Sequence, residues 1–180
     1  RLKIPLHLAL SYDEEVGCLG VHGMISYIEH GAVRPRICIV GEPTSMRVVN
    51  AHKGVYSFRT VVRGLEAHSS ATRAGVNAVM YAAELIAFLG RLAEEMEGRA
   101  QSPSRFEPPY TSVHVGLVRG GTALNIIPRE CSFIWEYRLL PGEDPDEIPA
   151  RFADFANNEV EPRMQAVDAG CGIETEPRAL

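Results

Sequence analysis

Val55-Tyr56-Ser57-Phe58-Arg59-Thr60-Val61-Val62 alternates in side-chain polarity along most of its length. Tyr56, Phe58 and Val62 fall on one face of an extended chain, and Ser57, Arg59 and Arg63 on the other. Successive strand side chains point to opposite faces, so this period of two predicts a half-exposed strand. Residues 77–96 then carry Val79, Ala82, Ile86, Leu89, Ala93 and Met96 at helical spacing, with Glu94, Glu95 and Glu97 at the wet end and Gly98 as terminator. Residues 100–109 are rich in proline, serine and charge, which predicts a loop. Residues 113–117 alternate as a second strand, Arg119-Gly120-Gly121-Thr122 turns, and Ile126-Ile127-Pro128 restarts the chain. Cys131, Phe133, Trp135 and Tyr137 line one face of a third strand, which Pro141 and Gly142 stop.

Asp144-Pro145-Asp146-Glu147 predicts a helix start, with Asp144 as N-cap, Pro145 at the first helical position and Glu147 completing a capping box. Ile148, Phe152, Phe155 and Val160 form its buried stripe, and Pro162 breaks or kinks it. Residues 171–175 make a last short strand. The order β-α-β-β-α-β predicts a split βαβ, ferredoxin-like, two-layer sandwich with two helices on one sheet face. The opposite face carries Arg59, Arg63, Ser132, Glu136 and Arg138, polar enough for solvent or a bound substrate.

The pattern upstream is different. Residues 4–10 are a nearly continuous apolar run, expected as a strand covered on both faces, and they open onto Ser11-Tyr12-Asp13-Glu14-Glu15. Residues 16–29 carry Leu19, Met24, Ile25, Tyr27 and Ile28 at roughly helical spacing. Ile37-Cys38-Ile39-Val40 is expected as a second buried strand, running into Gly41-Glu42-Pro43-Thr44. A strand-helix-strand crossover of this length makes the strands parallel and sets Glu15 and Glu42 at one sheet edge, where α/β sheets carry their chemistry. Neighbouring carboxylates suit a division of labour, one holding a cation and one taking a proton from bound water. The same acids would equally serve as a solvated turn capping the next helix, and Glu42 as a turn residue before Pro43. The change of pattern places a domain boundary at residues 49–52.

Composition narrows the classes. The chain has 180 residues, 46% of them hydrophobic, enough for a real core. A net charge of -5 argues against nucleic acid as the default partner. No apolar run exceeds a core helix, so no membrane partner is expected. Arg1-Leu2-Lys3 leads straight into strand-like sequence without a signal-peptide pattern or an initiating Met, so the sequence reads as part of a longer polypeptide. Four scattered cysteines without CxxC are expected as buried reduced thiols of a cytoplasmic protein.

Taken together, Ser11-Tyr12-Asp13-Glu14-Glu15, Val40-Gly41-Glu42-Pro43-Thr44, Ala51-His52-Lys53-Gly54, Arg63-Gly64, Ala67-His68-Ser69-Ser70 and residues 120–128 (GGTALNIIP) resemble the M20 family of dinuclear zinc amidohydrolases. Tyr137-Arg138 and Ile173-Glu174-Thr175-Glu176-Pro177 extend the match. The resemblance implies that residues 1–50 are an incomplete part of a catalytic α/β domain and residues 51–180 a lid and dimerisation domain. It implies Glu14 as the general base, Glu15 and Glu42 as ligands of two different metals, and His68 as a catalytic histidine reaching a partner subunit's site. Asn125 and Arg138 match substrate-holding positions, with an N-acyl amino acid as substrate. Zinc is the implied metal, with cobalt as a substitute, and a homodimer through the lid is the implied assembly. The family also uses an N-terminal His-x-Asp and a late histidine, which this sequence lacks, so two of five ligands remain. The chain by itself is therefore expected to be inactive and a weak metal binder. His7, His22, His30, His52 and His114 read as structural or surface residues. A rival reading is a non-catalytic dimerisation or ligand-sensing module, because a split βαβ sheet offers a free edge, from residues 56–62 or 113–117.

Overall fold

The alternating stretch forms strand β1, Gly54–Arg63, an interior strand of a four-stranded antiparallel sheet. The computed structural model describes residues 3–31 and 34–178. The sheet order is β3-β5-β1-β6, with β3 at Ser112–Gly120, β5 at Glu130–Leu139 and β6 at Gly172–Arg178. Two short strands, β2 (Ala67–His68) and β4 (Ile126–Ile127), pair with each other outside that sheet. The chain divides into two units, one covering residues up to Val49 and one running from Asn50 to Arg178.

In the second unit, register explains which side chains meet. Tyr56, Phe58, Thr60 and Val62 lie opposite Tyr137, Trp135, Phe133 and Cys131. Tyr56 stacks on Tyr137 with centroids 4.8 Å apart, and Phe58 on Trp135 at 4.5 Å. Trp135 is fully buried, and its indole N–H donates to Thr60 Oγ1 at 3.0 Å. Thr60 in turn meets Thr175 Oγ1 at 2.9 Å, so the polar atoms of the aromatic layer are paired. Tyr137 donates its hydroxyl to the Pro145 carbonyl at 2.6 Å, and burial pushes the phenol up to about 12.

Helix α2, Ala78–Gly98, covers this face. Asn77 caps it, its Oδ1 accepting from the Met80 amide at 3.1 Å. The buried stripe is Ala78, Ala82, Leu85, Leu89, Leu92 and Met96. Val79, Ile86 and Ala93 were expected in that stripe but lie at its margin, because the face turned to the sheet is centred on the leucines. Each buried leucine contributes about 1.5–3 kcal/mol of transfer free energy.

Helix α3 spans Glu147–Phe155, continues through a π turn at Ala156–Val160, and becomes α4, Glu161–Gln165. Its start differs from the expectation. Asp146 is the N-cap, while Asp144 Oδ1 accepts from the Asp146 amide at 2.9 Å in the turn before. Pro149 has no N–H to donate to the Pro145 carbonyl, which the Tyr137 hydroxyl takes instead, and the first helical bond runs from the Ala150 amide to the Asp146 carbonyl at 3.0 Å. Ile148, Phe152 and Val160 are buried as expected. Phe155 is half-buried and stacks on Phe88 at 4.3 Å. Pro162, which has no N–H to donate, stands at the start of α4, directly after the π turn that interrupts the α-helical bonding. Across α2 and α3, Glu95, Arg99, Glu147 and Arg151 form a closed ring of ion pairs. Hydrogen bonds from Arg151 and Arg99 hold the Glu95 carboxyl down at about 2.

The first unit departs further from expectation. Helix α1 is His22–His30, preceded by 3-10 turns at Glu14–Val16 and Leu19–Val21. Residues 4–10 and 37–40, expected as buried strands, carry no strand pairing. Leu8 is 86% exposed and Ile39 is 89% exposed. A strand is held by ladder hydrogen bonds and neighbouring side chains, and among the described residues nothing supplies either to these runs. Cys18 and Cys38 are exposed, and only Cys131 and Cys171 are buried as expected.

Candidate functional site

One cluster is built by the chain leaving β1. A Cβ on Gly64 would sit 2.1 Å from the Val76 carbonyl oxygen, so only glycine lets the two backbones approach this closely. Leu65 and Val76 then exchange backbone hydrogen bonds of 3.0 and 2.9 Å and close a loop over residues 65–76. Inside that loop β2 pairs with β4, His68 opposite Ile126, while the buried Ile127 anchors the pair. The Ser69 amide donates to the Asn125 carbonyl at 2.9 Å. His68 and Asn125 are therefore neighbours, and both are exposed.

The His68 ring has a defined tautomer. Its Nδ1 lies 3.2 Å from the Ser70 amide and 2.8 Å from the Ser70 hydroxyl. A backbone N–H can only donate, so Nδ1 accepts and the ring proton sits on Nε2. His68 thus presents an N–H donor to solvent, as stabilising a developing oxyanion requires.

Arg138 lies elsewhere. It is on β5, eight residues beyond Glu130, roughly 26 Å along the strand at the usual rise. His68 and Asn125 lie beyond the Glu130 end, because the Gly64 amide bonds to Arg129 and β4 directly precedes β5. Within one chain, Arg138 is not gathered with the other two. On the outer sheet face, Arg138 Nε donates to Glu136 Oε1 at 3.1 Å. Arg59 and Arg63 pair through Nη1 with Glu176 and Glu174, at 3.5 and 3.0 Å. This face is polar as expected, although Ser57 and Val61 on it are buried between neighbouring strands.

In the first unit, Glu14 and Glu15 occupy the 3-10 turn at Glu14–Val16, and Glu42 lies in irregular chain; all three are exposed. Asp13 before them has φ 62, and its side chain caps nothing. Among the described residues no three His, Cys, Asp or Glu side chains gather as a metal site. The donor set present does not fit a zinc centre, which takes at least three protein ligands.

Lys53 is the residue that sequence reasoning passed over, although it lies within Ala51-His52-Lys53-Gly54. Its Nζ donates to the Tyr110 carbonyl at 2.6 Å, tying the start of β1 to the loop before β3, and desolvation lowers its pKa. A lysine directly before a core strand was the available signal.

Residues 50–164 match the peptidase dimerisation domain of the M20 group, over more than half of the sequence. The chain belongs to the M20 peptidase dimerisation domain family. The M20 chain is 39% identical over 148 residues to the acetylornithine deacetylase of Myxococcus xanthus, covering 82% of this chain and 38% of that protein. It is 34% identical over 151 residues to the acetylornithine deacetylase of Proteus mirabilis, again covering 82% and 38%. It therefore spans well under half the length of these curated relatives. Among solved structures, a putative aminohydrolase from methicillin-resistant Staphylococcus aureus is similar with a TM-score of 0.56 at 16% identity, over 71% of this chain and 30% of that one. Aminopeptidase PepT from Bacillus cereus is similar with a TM-score of 0.50 at 20% identity, over 73% and 32%. At these identities the two structures speak to the fold alone.

Proposed function

We propose that this chain is part of a metal-dependent amidohydrolase that removes the acyl group from an N-acyl amino acid, with N-acetyl-L-ornithine giving L-ornithine and acetate, a step of arginine biosynthesis. The observation that carries the reading is the pairing of β2 with β4, which sets His68, with its Nε2–H outward, beside Asn125. The identity to relatives named acetylornithine deacetylase supports the substrate. In this reading Glu14 takes a proton from the attacking water and delivers it to the leaving amine, and His68 donates to the oxyanion. Asn125 and Arg138 hold the substrate, Arg138 by its carboxylate. Zinc, with cobalt as a substitute, belongs to the whole protein. Glu15 and Glu42 would contribute to holding it, and this chain alone is inactive. Four free thiols support a reducing compartment such as the cytoplasm. No helix among the described residues is long and apolar enough to cross a membrane. The test is the product released by the full-length protein. Acetate from N-acetylornithine is expected; succinate from N-succinyl-diaminopimelate as the faster reaction would move the assignment to a desuccinylase.

A second reading, a dimerisation module, is favoured for the isolated chain by the family match itself. Residues 56–62 are interior, so β1 cannot supply the pairing edge, while β3 and β6 are the outer strands. Leu117 and Val118 on β3 are half exposed. Antiparallel pairing of two β3 edges would set the Ser112 end of one copy against the Gly120 end of the other. Arg138 lies across from Ser112, and Asn125 follows Gly120 after a turn. A homodimer of this kind brings His68 and Asn125 of one copy to the same end of the joint sheet as the partner's Arg138. Light scattering on the chain is expected to give a dimer, and the double substitution Leu117→Lys, Val118→Lys a monomer, because lysines on an edge block strand addition. A dimer that survives both lysines would exclude this edge.

A further inference from the structure

We propose that Glu136 is the positioning residue of Arg138: its carboxylate holds Nε and leaves the two terminal nitrogens free to fork onto a substrate carboxylate. The inference rests on the reading above, in which Arg138 grips that carboxylate.

The contrast between three arginines carries it. Arg59, Arg63 and Arg138 share the outer face of the sheet. Arg59 and Arg63 each spend a terminal nitrogen on a glutamate of β6. Arg138 alone of the three is held through Nε, at 3.1 Å, and Glu136 is its one acceptor among the described residues. A guanidinium offers a carboxylate two bidentate edges, one made by Nε with a terminal nitrogen and one made by both terminal nitrogens. With Nε occupied, only the second edge remains for a ligand carboxylate.

Strand geometry makes the support stiff. Residues two apart on a strand share a face, so Glu136 and Arg138 are neighbours by construction. β5 is an interior strand, and Glu136 is flanked by the buried Ser57 on β1 and by His114 on β3. Its side chain is 28% exposed against 47% for Arg138, so the acid is the better anchored partner. Val55 and Ser112, the cross-strand neighbours of Arg138, are too short to cover the guanidinium. Glu136 does not cap the terminal edge, so the arginine stays open to an anion.

The test compares N-acetylornithine with its α-carboxamide analogue in the full-length protein, for Glu136→Ala, Glu136→Gln and Arg138→Ala. Glu136→Ala is expected to raise KM for the carboxylate by about tenfold, the size of one charge-assisted hydrogen bond, with kcat and the carboxamide KM little changed. Glu136→Gln, whose amide oxygen still accepts from Nε, is expected to recover most of that loss. A merely structural role would shift both substrates alike. If Arg138→Ala erases the preference for the carboxylate but Glu136→Ala leaves it intact, the positioning role is overturned and the grip stands. If Arg138→Ala leaves the preference intact, the grip itself falls and the positioning role with it. An activity-free readout is the nitrogen-15 Nε–H resonance of Arg138 in this chain. It should be protected from solvent exchange in the wild type and in Glu136→Gln, and lose protection in Glu136→Ala; equal exchange in all three would overturn the proposal.

Discussion

Replacing Glu14 with alanine in the full-length protein is expected to lower kcat by roughly a hundred- to ten-thousandfold, the usual contribution of a positioned general base. Alanine removes the one group proposed to accept the proton of the attacking water and return it to the amine. KM should move little, because the side chain is assigned to proton transfer and not to binding. Glu14→Gln should fall as far, since an amide cannot take the proton. Steady-state assay of acetate release checks this directly. Near-normal turnover in either variant would remove Glu14 from the mechanism and leave Glu15 as the next acid to test. In the structure Glu14 is exposed, in a short 3-10 turn, with no metal site gathered around it among the described residues. The expected effect therefore belongs to the full-length protein and would be absent from this chain, which makes the comparison of the two part of the test.

The second large effect is on stability. Trp135→Ala is expected to cost about 3–5 kcal/mol, the range for truncating a buried aromatic side chain. Trp135 is fully buried, stacks on Phe58 at 4.5 Å, and meets Phe152 at 4.9 Å. Its removal also leaves Thr60 with one partner fewer in a dry layer. Trp135→Phe keeps most of the packing and loses the indole N–H, so it should cost less. Because Trp135 is the only tryptophan, unfolding of the variants must be followed by circular dichroism in urea. A loss under about 1 kcal/mol for Trp135→Ala would mean that this aromatic layer does not organise the sandwich.

Both effects trace to features with different legibility. Trp135 could be placed in the core from sequence, because Cys131, Phe133, Trp135 and Tyr137 repeat every second residue and no other arrangement buries all four. The helix over them was legible in extent but not in rotation. Val79 and Ile86 looked as apolar as Leu85 and Leu92, and only packing against the sheet decided which rows turned inward. The start of α3 differs from the Asp144-Pro145 signal because residue 149 is a proline: it has no N–H to donate to the Pro145 carbonyl, so the first helical bond runs from the Ala150 amide to Asp146 and the Tyr137 hydroxyl takes the Pro145 carbonyl instead. The runs at residues 4–10 and 37–40 have strand composition, yet composition does not supply the neighbours that a strand needs.

The sequence by itself determined the two-layer sandwich of the second unit, since periods of two and near 3.6 dictate which faces must be buried. It also determined which residue types are available for chemistry. Only the tertiary structure decided that β1 is interior and β3 an edge, that His68 and Asn125 are neighbours while Arg138 stands at the far end of β5, and that Arg138 is held by Nε. The physical reason is that strand order, register and the direction of a hydrogen bond depend on which partner lies alongside, and that information is not carried by the period of a single segment.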